Sequence, residues 1–229
     1  MKHLKLFNSL ESFNNFVFTG NYITPIVAKI NKELLYKKKD LYNCPYQRIE
    51  YLESTGTQWI DTLFQQNDIE KFSIKYYSAN SSDPGYGNAM GCRNRSNANE
   101  FQVSNYNQMI SIGTRNTSMG NVQNQINEII YTGGDTININ GTIKSINVNF
   151  SNLRYDYHIM LFGIYQYYSN GITQLEATKI YYVTLEGNGK KIHLIPVRIG
   201  NIGYMYDTVS KQLFSNQGTG QFILGPDIA

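Results

Sequence analysis

This sequence has little charge, and the shortage excludes one class of partner. Only 16% of its 229 residues are charged, and the formal net charge is +3. Nucleic-acid binding needs basic residues concentrated on one face or in a tail, so this balance argues against it. The longest basic run, Lys37–Lys39, is offset by Glu33 and Asp40, and it is typical of a solvated linker.

Long apolar runs and cysteine pairs are scarce as well. No apolar run approaches the about 20 residues that a membrane-spanning helix requires, and residues 1–13 are too polar for the core of a signal peptide. We therefore expect a soluble chain without membrane insertion.

The two cysteines, Cys44 and Cys92, lie far apart and outside any C-x-x-C motif. They could pair, but synthesis in a reducing cytoplasm favours two free thiols, which we expect.

Motifs that carry catalysis are missing too. The sequence contains no G-x-S-x-G, no P-loop and no zinc-ligand string. Glu50 and Glu53 stand three residues apart and would lie on opposite faces of a strand. His3, His158 and His193 are isolated from other metal-ligating residues in sequence, so structural roles are expected for them. The sequence predicts no catalytic residues, no metal ligands and no cofactor.

A structural calcium ion is the alternative that stays open. Sandwich domains can hold this ion with aspartate, asparagine and backbone oxygens from loops. Four residues of the right kind are predicted in loops, although their spacing does not specify a site: Asp83, Asn88, Asp135 and Asn138.

The residues that are abundant predict a β protein. The chain has 19 Tyr and 19 Gly against 5 Pro, and many of its asparagines fall between alternating segments. About a dozen strands are expected after residue 45, which fits two antiparallel sheets packed face to face.

Residues 114–124 look like a surface loop, or a loop that surrounds a binding site, and residues 79–91 look like a second long loop. Pro196 argues for an edge or bulge position. The clearest predicted strands span residues 70–76, 100–103, 109–112, 128–131, 136–139, 142–144, 157–162, 178–185 and 191–199.

The segment Tyr46 to Phe64, YQRIEYLESTGTQWIDTLF, anchors this domain. It predicts a strand, a turn at Ser54–Gly56 and a second strand, in which Gln58, Ile60 and Thr62 face one way. Trp59, the only tryptophan, either seals the core, which is the favoured interpretation, or presents a stacking face to a sugar.

The phrase RIEYLESTGTQWIDT resembles the opening of concanavalin A or laminin G-like jelly-roll domains in structural proteins of tailed bacteriophages of gut bacteria. Residues 203–226 match the usual ending of those domains: a tyrosine strand, the turn at Tyr206–Asp207, a Leu-Phe strand, and a glycine-rich close onto Gly225–Pro226. The resemblance implies a jelly-roll sandwich over residues 46–229. The E-x-D-x-x-E string of the laminarinase branch does not occur, which argues against hydrolase activity.

Residues 1–38 differ from the rest and predict a small β-α-β-β module, followed by a linker over residues 39–45. Their pattern resembles an N-terminal segment shared by several structural proteins of such phages. A module this small cannot bury enough surface alone, so a partner surface is expected. The resemblance implies a virion-docking role for Leu4, Leu6, Phe7, Phe16, Tyr22, Ile23 and Pro25.

Together the resemblances imply a virion structural protein, made in the host cytoplasm and displayed on the outer surface of the particle. It would be a head fibre or capsid decoration that binds a capsid or auxiliary capsid protein. Copies would associate as dimers or trimers, or decorate the particle singly. The alternative is a carbohydrate-binding adhesin, in which Trp59 or exposed tyrosines stack on a host-surface glycan.

Overall fold

The computed structural model describes residues 44–78, 87–94, 99–105, 108–146 and 156–228, together with residues 148, 150 and 153. The chain divides into two units, Met1–Pro45 and Tyr46–Ala229. The account below concerns the second unit. The predicted N-terminal module, its seven predicted docking residues and Asp83 lie outside the described residues.

The described part of the chain is built from short strands and contains no α-helix. A helix long and apolar enough to span a membrane is absent from these residues. Two 3-10 turns, Gln66–Asp68 and Tyr167–Ser169, interrupt the strands. The strands are β1 (Gln47–Arg48), β2 (Leu52–Glu53), β3 (Ile60–Gln65), β4 (Lys71–Ser78), β5 (Asn88–Asn94), β6 (Asn99–Ser104), β7 (Met109–Gly113), β8 (Arg115–Ser118), β9 (Gln125–Tyr131), β10 (Thr136–Ile139), β11 (Thr142–Ser145), β12 (His158–Leu161), β13 (Ile164–Gln166), β14 (Gly171–Thr173), β15 (Thr178–Gly187), β16 (Lys190–Ile199), β17 (Ile202–Asp207), β18 (Leu213–Phe214) and β19 (Ile223–Leu224).

The strands form two sheets. The first sheet has the order β11-β10-β9-β4-β15-β16-β17-β18, with β1 paired to β16 and β2 paired to both β15 and β19. The second sheet has the order β14-β13-β5-β6-β7-β8, and β12 pairs with both β3 and β5. Neighbouring strands are antiparallel except for the short β13/β5 pair. The predicted fold class, a mainly β sandwich of two antiparallel sheets, is therefore confirmed.

The core lies between the two sheets. In β4 the buried residues Phe72, Ile74 and Tyr76 alternate with half-exposed ones, as the sequence pattern predicts. Phe72 of the first sheet meets Phe101 of the second, edge to face, with ring centroids 5.1 Å apart. Burying each such side chain contributes about 1.5–3 kcal/mol, so this interlocking of alternate residues holds the two sheets together.

Two hairpins form where the sequence predicts them. Strands β10 and β11 turn at Asn140–Gly141, whose φ angles of 53° and 82° are those that a two-residue turn of this kind requires. Strands β15 and β16 turn at Asn188–Gly189, with φ angles of 47° and 71°. Asparagine and glycine reach this left-handed region with little strain, which is why these turns can be predicted from the sequence.

The predicted hairpin over residues 46–64 is wrong, because its two strands lie in different sheets. Strand β2 pairs with β15 and β19 in the first sheet, whereas β3 pairs with β12 in the second. The intervening residues cross from one sheet to the other. An alternating pattern predicts a strand and its buried side but not its neighbour, so the sequence cannot distinguish a hairpin from a crossover.

Three local predictions also need correction. The predicted loop 114–124 contains β8, and the predicted loop 79–91 overlaps β5. Pro196 lies in β16, which is an interior strand and not an edge. Its missing N–H is tolerated beyond the last β15 pair, Val183 with Leu194, where the Pro196 carbonyl accepts a bond of 3.2 Å from Ile49 N.

Candidate functional site

The crossover between the sheets is held by the side chain of Gln58, which is 2% exposed. Its Oε1 accepts hydrogen bonds from Thr55 N at 2.7 Å, Thr55 Oγ1 at 3.1 Å and Ser54 Oγ at 3.1 Å. Its Nε2 donates to Thr219 O at 3.0 Å and to Thr57 Oγ1 at 2.8 Å. One buried amide therefore joins the crossover to the loop near the C-terminus.

Trp59 lies beside this amide, and it is half-buried. Its backbone N–H donates to Asn216 Oδ1 at 3.3 Å, and its carbonyl accepts from Gln217 N at 2.9 Å. A Cβ at Gly218 would lie 2.9 Å from the indole Cδ1 and 2.1 Å from Thr57 O, so the glycine backbone packs directly on the indole edge. The favoured interpretation, burial of Trp59 in the core, is wrong. Its role in glycan stacking stays a prediction.

The C-terminal residues complete the same structure. Leu224 pairs with Leu52, and Gly225 N donates to Tyr51 O at 3.0 Å. A Cβ at Gly225 would lie 2.7 Å from Tyr51 N, which explains why glycine is needed at this close approach. We call the contacts of residues 46–59 with residues 215–228 the terminal seam. The two motifs that carry the jelly-roll resemblance thus meet along one hydrogen-bonded surface.

Asp207 of the tyrosine-aspartate motif is fully buried and serves a turn. Its Oδ1 accepts from His193 N at 2.8 Å and from Val209 N at 3.0 Å, and its Oδ2 accepts from Ser210 N at 3.0 Å. Three backbone donors satisfy the carboxylate, which is how a buried charge is tolerated. This arrangement fixes the turn after β17, and this structural role is sufficient to account for the aspartate of the motif.

His158 has a partner that its sequence neighbours do not reveal. Its Nδ1 lies 3.0 Å from Asp61 Oδ2, and both side chains are about one-third exposed or less. The other oxygen of Asp61 accepts from Leu63 N at 2.8 Å, where Leu63 adopts a φ of 57°. The pair joins β12 to β3, so it is built into the strand pairing and the bend of β3.

Of the three predicted calcium ligands within the described residues, Asn88 lies in a different sheet from Asp135 and Asn138. Asn88 lies in β5 of the second sheet, where its Nδ2 donates to Gln174 Oε1 at 2.7 Å. Asp135 and Asn138 belong to the β9–β10 region of the first sheet. Among the described residues, no group of three or more His, Cys, Asp or Glu side chains is placed to hold a metal ion.

Cys44 and Cys92 are not joined by a disulfide. Cys92 is fully buried in β5, and burial raises the pKa of its thiol. A thiol in such surroundings stays protonated and unreactive, so Cys92 acts as a small core residue.

Glu176 is an unusual group that the sequence does not single out. It is 4% exposed, and its Oε2 accepts from Asn105 Nδ2 at 2.5 Å. The second oxygen of Glu176, Oε1, and the amide oxygen of Asn105, Oδ1, are buried and make no hydrogen bond. Burial raises the pKa of Glu176 to about 7, although the bond from Asn105 opposes the shift. The two residues are 71 positions apart, which is why no local motif reveals the pair.

Comparisons with known proteins do not identify the chain, since no family model, curated protein or solved structure matches it. The family resemblance rests on the sequence motifs alone.

Proposed function

We propose that this protein is a non-enzymatic structural component of a tailed-phage virion, either a head fibre or a capsid decoration. Residues 1–38 dock it on a capsid or auxiliary capsid protein. Residues 46–229 form a jelly roll of the concanavalin A or laminin G-like type that projects from the outer surface of the particle.

The terminal seam is the observation that supports this proposal best. The Gln58 amide bonds both to Thr55 of the opening motif and to Thr219 of the closing motif. Two matches at opposite ends of a chain would carry little weight if they were unrelated. Here they are two halves of one structural unit, which is what a shared domain family would preserve.

The engagement of the acidic side chains supports a non-enzymatic role. Asp207 is used by backbone donors and Asp61 by His158 and Leu63. Glu186 lies between Lys71 at 2.9 Å and Lys191 at 3.0 Å, and hydrogen bonds from these lysines lower its pKa. Glycoside hydrolysis needs a carboxyl group with a raised pKa facing a second carboxylate across a cleft. These three acids have structural partners instead, and Glu176, whose pKa is raised, is bonded by Asn105 and packed against Gly87 in the interior.

The docking proposal is tested by incorporation into particles. Full-length protein carrying Phe7→Ser and Tyr22→Ser should be lost from virions purified on a density gradient, because two of the proposed docking side chains lose their aromatic rings. The control is Lys39→Ala with Asp40→Ala in the linker, which should leave the copy number unchanged. Normal incorporation of the Phe7/Tyr22 variant, measured by quantitative mass spectrometry, would refute docking through this module.

A further inference from the structure

Three tyrosines on one surface of the sandwich, Tyr157, Tyr165 and Tyr167, form a continuous aromatic cluster, which we call the tyrosine platform. The rings of Tyr157 and Tyr167 stack with centroids 5.4 Å apart and planes 28° apart. The ring of Tyr165 lies 5.6 Å from that of Tyr157. Tyr167 is 54% exposed, while the other two are half-buried. The outermost ring is therefore supported from below and open to solvent.

The backbone holds the platform rigidly. Tyr165 lies in β13, where it pairs with Cys92 of β5 and Ile172 of β14. The Tyr157 carbonyl accepts from Gln66 N at 2.7 Å, and the 3-10 turn that begins at Tyr167 is closed by Asn170 N, which donates to Tyr167 O at 2.9 Å. The aromatic surface exists before any ligand arrives, which lowers the entropic cost of binding.

Polar groups lie beside the rings. Asn170 is exposed, and its Oδ1 accepts from the Tyr165 hydroxyl at 2.9 Å. That bond uses the carbonyl end of the side chain, so the Nδ2 group can donate to a ligand. The exposed side chains of Asn67 and Asp156 bond to each other at 2.9 Å and are the chain neighbours of Gln66 and Tyr157. The Asn170 amide therefore lies at the aromatic surface, and the Asn67–Asp156 pair lies next to it along the chain.

Other aromatic residues of the sandwich are used differently. On the first sheet the Lys179 ammonium lies 4.6 Å from the centre of the Tyr51 ring and 5.5 Å from that of Tyr77. The Lys179 ammonium therefore makes cation–π contacts with both of these rings. Trp59 is partly covered by the backbone of Gly218. The tyrosine platform is better suited to stacking on an external ligand.

We propose that the tyrosine platform, with Asn170, binds a pyranose-containing polysaccharide, a function beyond attachment to the virion. A pyranose ring has an apolar C–H face, which fits Tyr167, and a rim of hydroxyl groups, which fits an amide and a carboxylate. A protein partner would favour a wider apolar surface with its own desolvated anchor. The small supported ring with polar neighbours favours a sugar.

The test uses full-length protein on an array of purified bacterial capsular and cell-wall polysaccharides, followed by titration calorimetry with the best binder. We expect binding to at least one pyranose glycan. Tyr167→Ala should weaken it by about tenfold or more, which corresponds to ~1.4 kcal/mol. Tyr167→Phe keeps the ring and should stay within about threefold of the wild type, since the ring supplies most of the stacking.

Two further variants locate the site. Asn170 has a φ of 48°, so Asn170→Gly removes the amide and keeps the turn; it should weaken binding severalfold without changing the melting temperature. Ile126→Ala truncates a side chain on the first sheet that is 48% exposed, and it should bind normally.

Three results would overturn the proposal. The first is that no polysaccharide on the array binds. The second is that Tyr167→Ala binds normally while Trp59→Ala does not, which would place the sugar at Trp59. The third is that Tyr167→Ala changes the oligomeric state without affecting a glycan, which would make the platform a protein contact. Virion incorporation of Tyr167→Ala is measured separately and should be normal, so failure of the docking proposal leaves this test intact.

Discussion

The carboxyl group of Glu176 is packed so tightly that its protonation state must affect stability. A Cβ at Gly87 would lie 2.7 Å from Glu176 Cδ, so only glycine leaves room for the carboxyl group. Asn105 satisfies one oxygen, and an oxygen on each partner is left without a hydrogen bond. Protonation removes the buried charge, and burial accordingly raises the pKa of Glu176 to about 7.

We expect stability to fall as the pH rises through this carboxyl group's titration. The folded pKa of about 7 exceeds the ordinary glutamate value of 4.5, so between these two pH values the folded state retains a proton that the unfolded state has lost. The stabilisation is fully present below about pH 4.5 and is lost as the pH rises through 7. Its size is at most on the order of 3 kcal/mol, at about 1.4 kcal/mol for each unit of pKa.

Urea unfolding of the wild type and of Glu176→Gln between pH 5 and pH 8 measures this effect. The glutamine keeps an acceptor for Asn105 Nδ2 and does not titrate. At pH 8 the variant should therefore be more stable than the wild type, and this difference should shrink or reverse as the pH falls to 5. The control Glu70→Gln removes an exposed carboxylate and should follow the wild-type profile. Parallel profiles for the wild type and Glu176→Gln would show that Glu176 is ionised throughout this range.

Elements whose signals are local are predictable from the sequence. The alternation of β4 and the Asn-Gly turns after β10 and β15 follow from residues within a few positions of each other. Contacts between distant positions are not: Asp61 and His158 lie 97 residues apart, and the tyrosine platform requires the β12–β13 region to fold back on itself. Gln58 shows the limit most clearly. The alternation places Gln58 and Trp59 on opposite faces, but the favoured burial of Trp59 points to the wrong face, and nothing in the sequence indicates the crossover that the Gln58 amide holds.

Gln58→Ala tests the terminal seam as a folding element. Removing the amide leaves Thr55 N without its acceptor and removes one of the two bonds to Thr219 O, at partly buried positions, so the free energy of unfolding should fall by about 1–3 kcal/mol. The control is Gln217→Ala in the same loop, whose side chain is exposed and bonds only locally to Ser215. It should change stability by less than about 0.5 kcal/mol. Equal stabilities of the two variants in urea denaturation would contradict the structural role of the seam.

The sandwich as a whole leaves several apolar side chains on its surface. Ile143 of the edge strand β11 is 63% exposed, and Ile199 and Ile202 flank the turn between β16 and β17 at 45% and 51%. Edge strands with exposed apolar residues favour pairing with another chain. The described residues contain no helix that could form a coiled coil, so contact between copies of the sandwich has to use its sheets and loops.

We therefore expect the full-length protein to self-associate as a dimer or trimer. Light scattering at micromolar concentration should give a mass two or three times that of the 26.2 kDa chain. Ile143→Lys places a charge on the edge of β11 and should shift the protein toward monomer, whereas Val209→Lys, at a similarly exposed position in the turn after β17, should not. If both variants remain oligomeric, the copies meet elsewhere. A clean monomer of the wild type would mean that copies meet only where the symmetry of the particle brings them together, because binding to a scaffold raises their local concentration without any affinity between them.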